Sequence, residues 1–257
     1  MDRVKAILYS TDRLRRTIHF IVAAVLFNLP VTFRARLFQG KQYYCPLCEN
    51  RLNLFLKLRR DYHLFCPICL SLKRHRFVWL FMKHYTDLDN GLPKKLLHIA
   101  PQLSVSQSLK NIQNLEYISG DLYDKNAMVK LDICNIKYPS NTFDVILCCH
   151  VLEHVEDDQK AIREMSRVLK PDGWAVVMVP ITSSITYENP SIKSPVERER
   201  EFGQFDHLRR YGPDFVDRLK ENGFSVQEFK ANELVDEVQI TRMGLFANEI
   251  LYFCHKR

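Results

Sequence analysis

From residue 94 onward, short apolar runs alternate with stretches that have the apolar spacing of helices. Runs of strand length occupy 96–100, 115–119, 129–133, 143–149 and 174–179. The fourth run is apolar along nearly its whole length, as expected for a strand that is buried on both faces. Helical spacing occurs over 103–112 and again after Asp157, and Pro171-Asp-Gly173 predicts a turn. This alternation predicts an α/β domain built on a parallel sheet.

The beginning of the chain has a different pattern. An apolar stretch at 18–29 follows three arginines and is ended by Pro30. A membrane-spanning helix needs about 20 apolar residues, and this stretch is shorter and carries two polar side chains. Two hypotheses stay open: a helix packed on the rest of the protein, and an interfacial helix that attaches residues 13–36 to a membrane surface. Further on, the apolar spacing over 77–85 predicts a helix that buries one face.

Charge is distributed unevenly along the 257 residues. The formal net charge is +7, but residues 1–85 carry 16 basic and 4 acidic side chains, whereas residues 86–257 carry 21 basic and 26 acidic ones. A basic first third suggests contact with something anionic, either nucleic acid or a membrane surface. The apolar fraction of 46% is that of a globular protein, which excludes a collagen-like or wholly disordered chain.

Four of the eight cysteines form two similar pairs, Cys45-Pro-Leu-Cys48 and Cys66-Pro-Ile-Cys69. The spacing matches a four-thiolate metal site, because two thiolates three residues apart on a tight turn can both reach one tetrahedral ion. Zinc with a structural role is the first hypothesis, since four thiolates leave no open position; iron is the alternative. This use of cysteine predicts a reducing compartment, hence a cytoplasmic protein, with peripheral membrane association as the alternative.

The segments 141–155 and 163–173 carry a family resemblance. The first reads Asn-Thr-Phe-Asp-Val-Ile-Leu-Cys-Cys-His-Val-Leu-Glu-His-Val, and the second contains Arg-Val-Leu-Lys-Pro-Asp-Gly. In this order they resemble the class I S-adenosylmethionine-dependent methyltransferases of the type-11 kind. The resemblance covers roughly 94–257 and implies a Rossmann-like sheet of seven strands whose last strand is antiparallel. The runs 224–229 and 249–253 would be its final strands.

The predicted organisation therefore has three parts. An apolar and basic arm spans 1–40, a four-cysteine, zinc-ribbon-like module spans 41–76, and a methyltransferase domain spans 77–257. Within that domain, 181–212 is too long for a plain connection and predicts a lid or substrate segment.

The resemblance also implies a cofactor site at the carboxyl ends of the strands. Asp121 follows the second strand and would bind the ribose of S-adenosylmethionine. Asp132, with the backbone of Ile133, would bind the adenine, and His150 would lie near the sulfonium. The family's first loop normally has an acid followed by spaced glycines. Here the loop has no glycine, and Ala100 is expected to form its tight turn.

Catalytic candidates come from the 181–212 segment. His207 is the side chain best suited to take a proton near neutral pH, and Tyr211 is expected to act beside it. Three arginines of this segment are candidates for holding an anionic acceptor: Arg198, Arg200 and Arg209. The alternative is that His207 only braces the loop through Asp206.

We therefore expect an enzyme that uses S-adenosylmethionine, carries zinc, and transfers a methyl group to an oxygen or nitrogen of a small, anionic molecule. Two alternatives stay open. One is an RNA methyltransferase, because some rRNA methyltransferases carry a similar zinc module and the basic first third would suit RNA. The other is a non-catalytic adaptor with a degenerate methyltransferase fold.

Overall fold

The computed structural model describes residues 28–57 and 64–257, which divide into two compact units. The first unit comprises the described residues up to Tyr85 together with Val235–Ala247, and the second comprises Thr86–Leu234 and Asn248–Arg257. This division differs from the boundaries predicted from the sequence, because the helix after the cysteines and a segment close to the carboxyl end both belong to the first unit. Most of the apolar stretch at 18–29 lies outside the described residues.

The first unit is built from short elements around the cysteines. Its described part contains helix α1 (Val31–Leu37), strands β1 (Gln39–Cys45), β2 (Asn50–Leu52), β3 (Leu56–Lys57) and β4 (Leu64–Phe65), and helix α2 (Lys73–Tyr85). β1 pairs antiparallel with β2, and β3 pairs antiparallel with β4. The helix predicted over 77–85 is confirmed and begins four residues earlier.

One fully buried side chain, Arg76 of α2, ties the later segment into this unit. Its guanidinium donates to the carbonyl of Ser71 at 2.8 Å, of Met243 at 2.7 Å and of Gly244 at 2.6 Å, and it lies 4.2 Å from the ring centre of Phe55. Met243 ends a short helix of the later segment, and carbonyls at a helix end favour a cation. Arg76 thus joins the cysteine module to residues far along the chain.

The second unit is organised around the predicted seven-stranded sheet. Its strands are β5 (Lys94–Ile99), β6 (Leu115–Asp121), β7 (Val129–Lys130), β8 (Phe143–Cys149), β9 (Leu169–Met178), β12 (Phe224–Lys230) and β13 (Ile250–Lys256), and a separate pair is formed by β10 (Tyr187–Glu188) and β11 (Arg209–Arg210). The order is β12-β13-β9-β8-β5-β6-β7. β13 runs antiparallel to both of its neighbours and the other pairs are parallel, which confirms the implied arrangement.

The remaining helices are α3 (Leu103–Leu109), α4 (Asp158–Val168), α5 (Pro195–Phe202), α6 (Phe215–Glu221), α7 (Ala231–Leu234) and α8 (Glu237–Met243). α4 begins where predicted, because the side chain of Asp157 accepts a hydrogen bond from the backbone N–H of Lys160. Its apolar face is fully buried in the core of the sheet unit and consists of Ala161, Ile162, Met165 and Val168. No helix within 28–57 or 64–257 is long and apolar enough to span a bilayer.

Two predicted elements differ from the structure. The third strand was expected over 129–133 but pairs only over Val129–Lys130. The turn predicted at 171–173 is wrong, because β9 already begins at Leu169. Its pairing with β8 jumps from Phe143↔Leu169 to Val145↔Trp174, so the Pro-Asp-Gly residues form a bulge inside the strand instead of ending the preceding helix.

A buried ionic network holds the long 181–212 segment against the start of α4. Asp158 is 3% exposed and accepts a hydrogen bond from the hydroxyl of Tyr211 at 2.6 Å and from Arg218 at 2.9 Å. Arg209 is also buried and donates to the carbonyls of Leu152 at 2.8 Å and Glu156 at 2.9 Å. These contacts fix the end of the segment to the β8–α4 connection.

We expect Asp158→Asn to destabilise this packing. The substitution removes the negative charge between Arg218 and Arg209 while keeping the size of the side chain. Breaking a buried ion pair on one side should lower the free energy of unfolding by about 3 kcal/mol. Urea denaturation, with limited proteolysis within 181–212, measures the effect. Asp217→Asn, an exposed change in α6, is the matched control. Equal stability of the two variants would contradict the assignment.

Candidate functional site

The four predicted cysteine ligands lie together in the first unit. The sulfur atoms of Cys45 and Cys69 are 3.7 Å apart, as are those of Cys48 and Cys66. A disulfide would bring two sulfurs to about 2.05 Å, and all four cysteines are free. Sulfurs bound at about 2.3 Å to one tetrahedral zinc ion lie about 3.8 Å from each other. The observed spacing therefore fits four thiolates around one ion.

The backbone explains why the two cysteine pairs meet. Glu49 and Leu70, each directly after the second cysteine of its pair, adopt left-handed conformations with φ of 56° and 63°. The N–H of Leu70 donates to the carbonyl of Cys66 at 2.8 Å, which closes the second turn. The hydroxyl of Ser71 lies 3.1 Å from the sulfur of Cys69. The two turns thus share a left-handed residue after the second cysteine, and their thiols lie close together.

In the sheet unit, three predicted residues follow neighbouring parallel strands at one edge. Ala100 follows β5, Asp121 ends β6, and His150 follows β8. Ile99 pairs with Gly120 on one side and with Cys148 on the other, so the three strand ends are in register. The structure therefore brings Ala100, Asp121 and His150 to the edge where ligands bind in open α/β sheets.

The first loop keeps a tight shape without glycine. Ala100 takes φ of 48°, a left-handed conformation that glycine adopts more easily. The side-chain amide of Gln102 donates to the carbonyl of Ala100 at 2.7 Å, and its oxygen lies 3.2 Å from Nε2 of His98. On its other side, Nδ1 of His98 lies 3.0 Å from the hydroxyl of Tyr117. Sequence reasoning missed this supporting group.

His98, which lies in β5, is fully buried. Burial lowers the pKa of His98 to about 4, so the imidazole is neutral near neutral pH. The position therefore supports the loop through hydrogen bonds and not through a negative charge.

The carboxylate of Asp121 already shapes the loop after β6. Its Oδ1 accepts from the backbone N–H groups of Tyr123 and Asp124, both at 2.7 Å. Neither bond uses Oδ2. Asp132 is exposed beyond β7, where its Oδ1 accepts from the N–H of Cys134 at 2.8 Å, and the side chain of Ile133 is buried in the core. These positions are compatible with the roles predicted for them, which stay predictions.

A cluster of ionisable side chains, which we call the β8-end cluster, follows β8. It consists of His150, Glu153, His154, Asp206 and His207. His150 has φ of 56°, and its N–H donates to the carbonyl of Met178, which turns the chain out of the strand. Glu153 and His154 lie in the single 3-10 turn that follows, Leu152–His154. The 181–212 segment supplies Asp206 and His207.

Close polar contacts and a ring contact connect this cluster. Nδ1 of His150 lies 3.3 Å from Oε1 of Glu153, and Nδ1 of His154 lies 3.3 Å from Oδ2 of Asp206. The rings of His154 and His207 meet edge to face, with centres 4.7 Å apart. Sequence reasoning named His150 and His207 but missed Glu153 and His154, although both stand in the stretch that carried the resemblance.

The electrostatics of the cluster favour a neutral His207 and a charged Glu153. Burial lowers the pKa of His207 below its ordinary value, and the nearby carboxylates oppose this only in part. Burial alone would raise the pKa of Glu153, but the hydrogen bond and charge of His150 lower it overall. A neutral imidazole beside a buried carboxylate can accept a proton or bind a metal ion.

Two of the residues predicted to act in catalysis or in acceptor binding form structural contacts instead. Tyr211 is fully buried, and burial raises the pKa of its hydroxyl well above the ordinary value, so it stays a donor to Asp158. Arg209 directs its donors to backbone carbonyls and to Glu188. The catalytic role predicted for Tyr211 and the acceptor-binding role predicted for Arg209 are therefore corrected: both hold the segment in place.

The other two arginines do not form a set with Arg209. Arg200 is exposed and pairs with Glu201 at 2.9 Å, whereas Arg198 donates to the carbonyl of Ile192 at 3.4 Å. Each of the three arginines thus has a partner of its own, and the carboxylates whose charges act on His207 are those of Glu153 and Asp206.

The residues at this edge of the sheet fall within a segment that is similar to known proteins. Residues 99–177, from the end of β5 through most of β9, match the family model described as a methyltransferase domain. The chain is 30% identical over 124 residues to ajmaline N-methyltransferase of Rauvolfia serpentina. The aligned residues make up 45% of this chain and 42% of that protein. The chain is also 30% identical over 104 residues to norajmaline N-methyltransferase of the same organism, covering 37% and 35%.

The chain thus spans less than half the length of these curated relatives. Among solved structures, the YcgJ protein of Bacillus subtilis aligns with this chain at 17% identity and a TM-score of 0.47. The alignment covers 71% of this chain and 99% of the YcgJ chain. The match over residues 99–177 supports a methyltransferase domain that contains the ends of β5, β6 and β8.

Proposed function

We propose that the chain is an S-adenosylmethionine-dependent methyltransferase with a structural zinc site. One observation carries this proposal: the residues that match the methyltransferase domain are those that bring Ala100, Asp121 and His150 to one edge of the sheet. When bound, the cofactor supplies a methyl group on a positively charged sulfur.

This chain's residues would bind and orient the cofactor. Oδ2 of Asp121, which lies outside the loop bonds, would accept from the ribose hydroxyls, and Asp132 with the backbone of Ile133 would bind the adenine. The loop at Ala100 would allow the cofactor to approach the backbone closely. Its turn is held by the side chain of Gln102, which contacts both the carbonyl of Ala100 and the ring of His98. Most of the rate would come from holding two reactants in line.

The acceptor in this proposal is a nitrogen or oxygen atom of a small molecule. Similarity to two proteins named N-methyltransferases favours nitrogen. An anionic acceptor stays a prediction, and the arginines expected to bind it are engaged elsewhere. We propose that the acceptor binds beside the β8-end cluster. His150 follows β8, one of the strands that end at the proposed cofactor site, and the ring of His207 contacts His154 in the turn after that strand.

Zinc is proposed for the four-cysteine cluster. The sulfur spacing of 3.7 Å supports one tetrahedral ion, and four thiolates leave no position for a reacting molecule. The buried guanidinium of Arg76 is close enough to interact electrostatically with all four cysteines and would offset part of their charge. The site would therefore stabilise the first unit and take no part in the reaction.

The zinc proposal predicts that Cys48→Ser contains one equivalent of metal less than the unmodified chain. Loss of one of four ligands should also unfold the module, since binding of such an ion and folding are coupled. Elemental analysis of protein purified without chelator measures the metal. Cys134→Ser, a change outside the module, should retain the full amount. Metal-free unmodified protein would contradict the proposal.

The cofactor proposal predicts that Asp121→Ala binds S-adenosylmethionine more weakly by about 1.5–3 kcal/mol, the amount expected for hydrogen bonds to a charged group. Isothermal titration calorimetry measures the affinity. Asp172→Ala is the control, because Asp172 is exposed in the bulge at the opposite edge of the sheet. If both variants bind like the parent chain, the ribose assignment fails. If the unmodified chain binds no cofactor, the chain is the non-catalytic alternative.

The acceptor proposal predicts methyl transfer that depends on His207. The full chain, incubated with methyl-labelled cofactor, should transfer label to a low-mass metabolite extract and not to total RNA. His207→Ala should lower that transfer by about 10²–10⁴-fold, with cofactor affinity unchanged. The exposed His255→Ala change is the control. Label in RNA would favour the RNA alternative, and full activity of His207→Ala with reduced thermal stability would show that His207 only braces the loop.

A further inference from the structure

The β8-end cluster contains a set of metal-ligating groups separate from the four cysteines. We propose that Glu153, His154 and His207 bind a divalent first-row transition-metal ion, and that the methyl acceptor binds to this ion. The second half of this inference rests on the proposed methyltransferase function, whereas the first half does not.

The three side chains already lie close to a common centre. One potential ligand atom from each lies within 4.8 Å of those of the other two. Ligands bound at about 2.0–2.2 Å to one ion are separated by about 3.0–3.5 Å. The ligand atoms would therefore have to approach one another by at most about 1–2 Å to close the site.

An independent observation comes from the carboxylate. Glu153 is 1% exposed, and its Oε1 is occupied by His150. Its Oε2 is buried and has no hydrogen-bond partner among the described residues. A buried carboxylate oxygen without a partner is costly. A metal ion bound to Oε2 would remove that cost.

Each proposed ligand also has a neighbour that limits its orientation. Glu153 contacts His150, His154 contacts the carboxylate of Asp206, and the ring of His207 packs edge to face against the ring of His154. Histidine ligands of metal ions usually donate their other ring N–H to a carboxylate or a carbonyl in this way. Such pairing leaves the other nitrogen of the His154 ring available to the ion.

The donor set indicates the kind of ion and its role. Two imidazoles and one carboxylate suit zinc, iron, cobalt or manganese, and three protein ligands leave open positions for an external molecule. The side chains of His154 and Asp206 are 32% and 43% exposed, so this side of the site is accessible. The ion would supply the positive charge that Arg198, Arg200 and Arg209 do not.

The chemistry of the acceptor follows from that charge. An acidic O–H or N–H group bound to the ion has a lowered pKa and releases its proton to water. Its lone pair then forms the new bond to the methyl carbon. The electrons of the broken carbon–sulfur bond go to sulfur, which becomes a neutral thioether. No further reactant is required.

A cobalt titration tests the metal site directly. The full chain, with its cysteine site first loaded with zinc, is titrated with Co²⁺ alone and followed by visible absorption. We expect one equivalent of Co²⁺ whose spectrum has ligand-field bands without thiolate-to-cobalt charge transfer. Glu153→Gln should lose this binding, and Asp206→Asn, which changes only an outer partner, should weaken it by about 10–100-fold. His255→Ala is the matched control and should bind like the parent chain.

The possible outcomes separate this inference from the proposed function. Failure of the unmodified chain to bind Co²⁺ outside the cysteines, or equal binding by Glu153→Gln and the control, overturns the metal site while calorimetry with S-adenosylmethionine still tests the enzyme. Glu153→Gln is nearly isosteric, and a far-UV circular dichroism spectrum like that of the parent chain shows that the variant is folded. If Co²⁺ binds but does not alter the pH profile of methyl transfer, the acceptor part of the inference is overturned.

Discussion

The carboxylate of Asp158 lies in the interior with Tyr211, Arg218 and Arg209 around it, and the position of the candidate site depends on this arrangement. A buried charge needs opposite charges or hydrogen bonds around it, and the 181–212 segment supplies two of these three partners, Arg209 and Tyr211. The same arginine also donates to carbonyls of the turn after β8, so the segment packs there. His207 is therefore held beside Glu153 and His154 with the help of this ionic network.

The sheet could be predicted from the sequence because its pattern is local. β8 is almost wholly apolar, and α4 has an acidic cap and an unbroken apolar face, so both elements were found with nearly correct ends. The bulge in β9 could not be found this way. Pro171-Asp-Gly173 has the composition of a turn, and only the pairing of β9 with β8 decides that these residues bulge from a strand.

The site was predictable where spacing or a strand end determines it, and not where tertiary packing does. The spacing of the four cysteines predicts that their sulfurs lie together, and the strands that precede Asp121 and His150 predict their positions at one edge of the sheet. Tyr211 and Arg209 were assigned to the wrong task because a sequence does not show that their partners are buried in the same place. Gln102 was missed because it stands in no recognisable motif. Its role depends on its contact with the buried ring of His98, which only the structure shows.

The first unit is discontinuous: residues 235–247 complete it from a position that follows nearly the whole sheet. Domains of a growing chain generally fold in order of synthesis, amino-terminal domain first. The first unit cannot be completed in that order, because Arg76 donates to the carbonyl groups of Met243 and Gly244. These two residues leave the ribosome after every sheet strand except β13. During translation the guanidinium of Arg76 has no permanent acceptors for two of its three bonds, and the cysteine module reaches its final packing only after most of the sheet unit has been made.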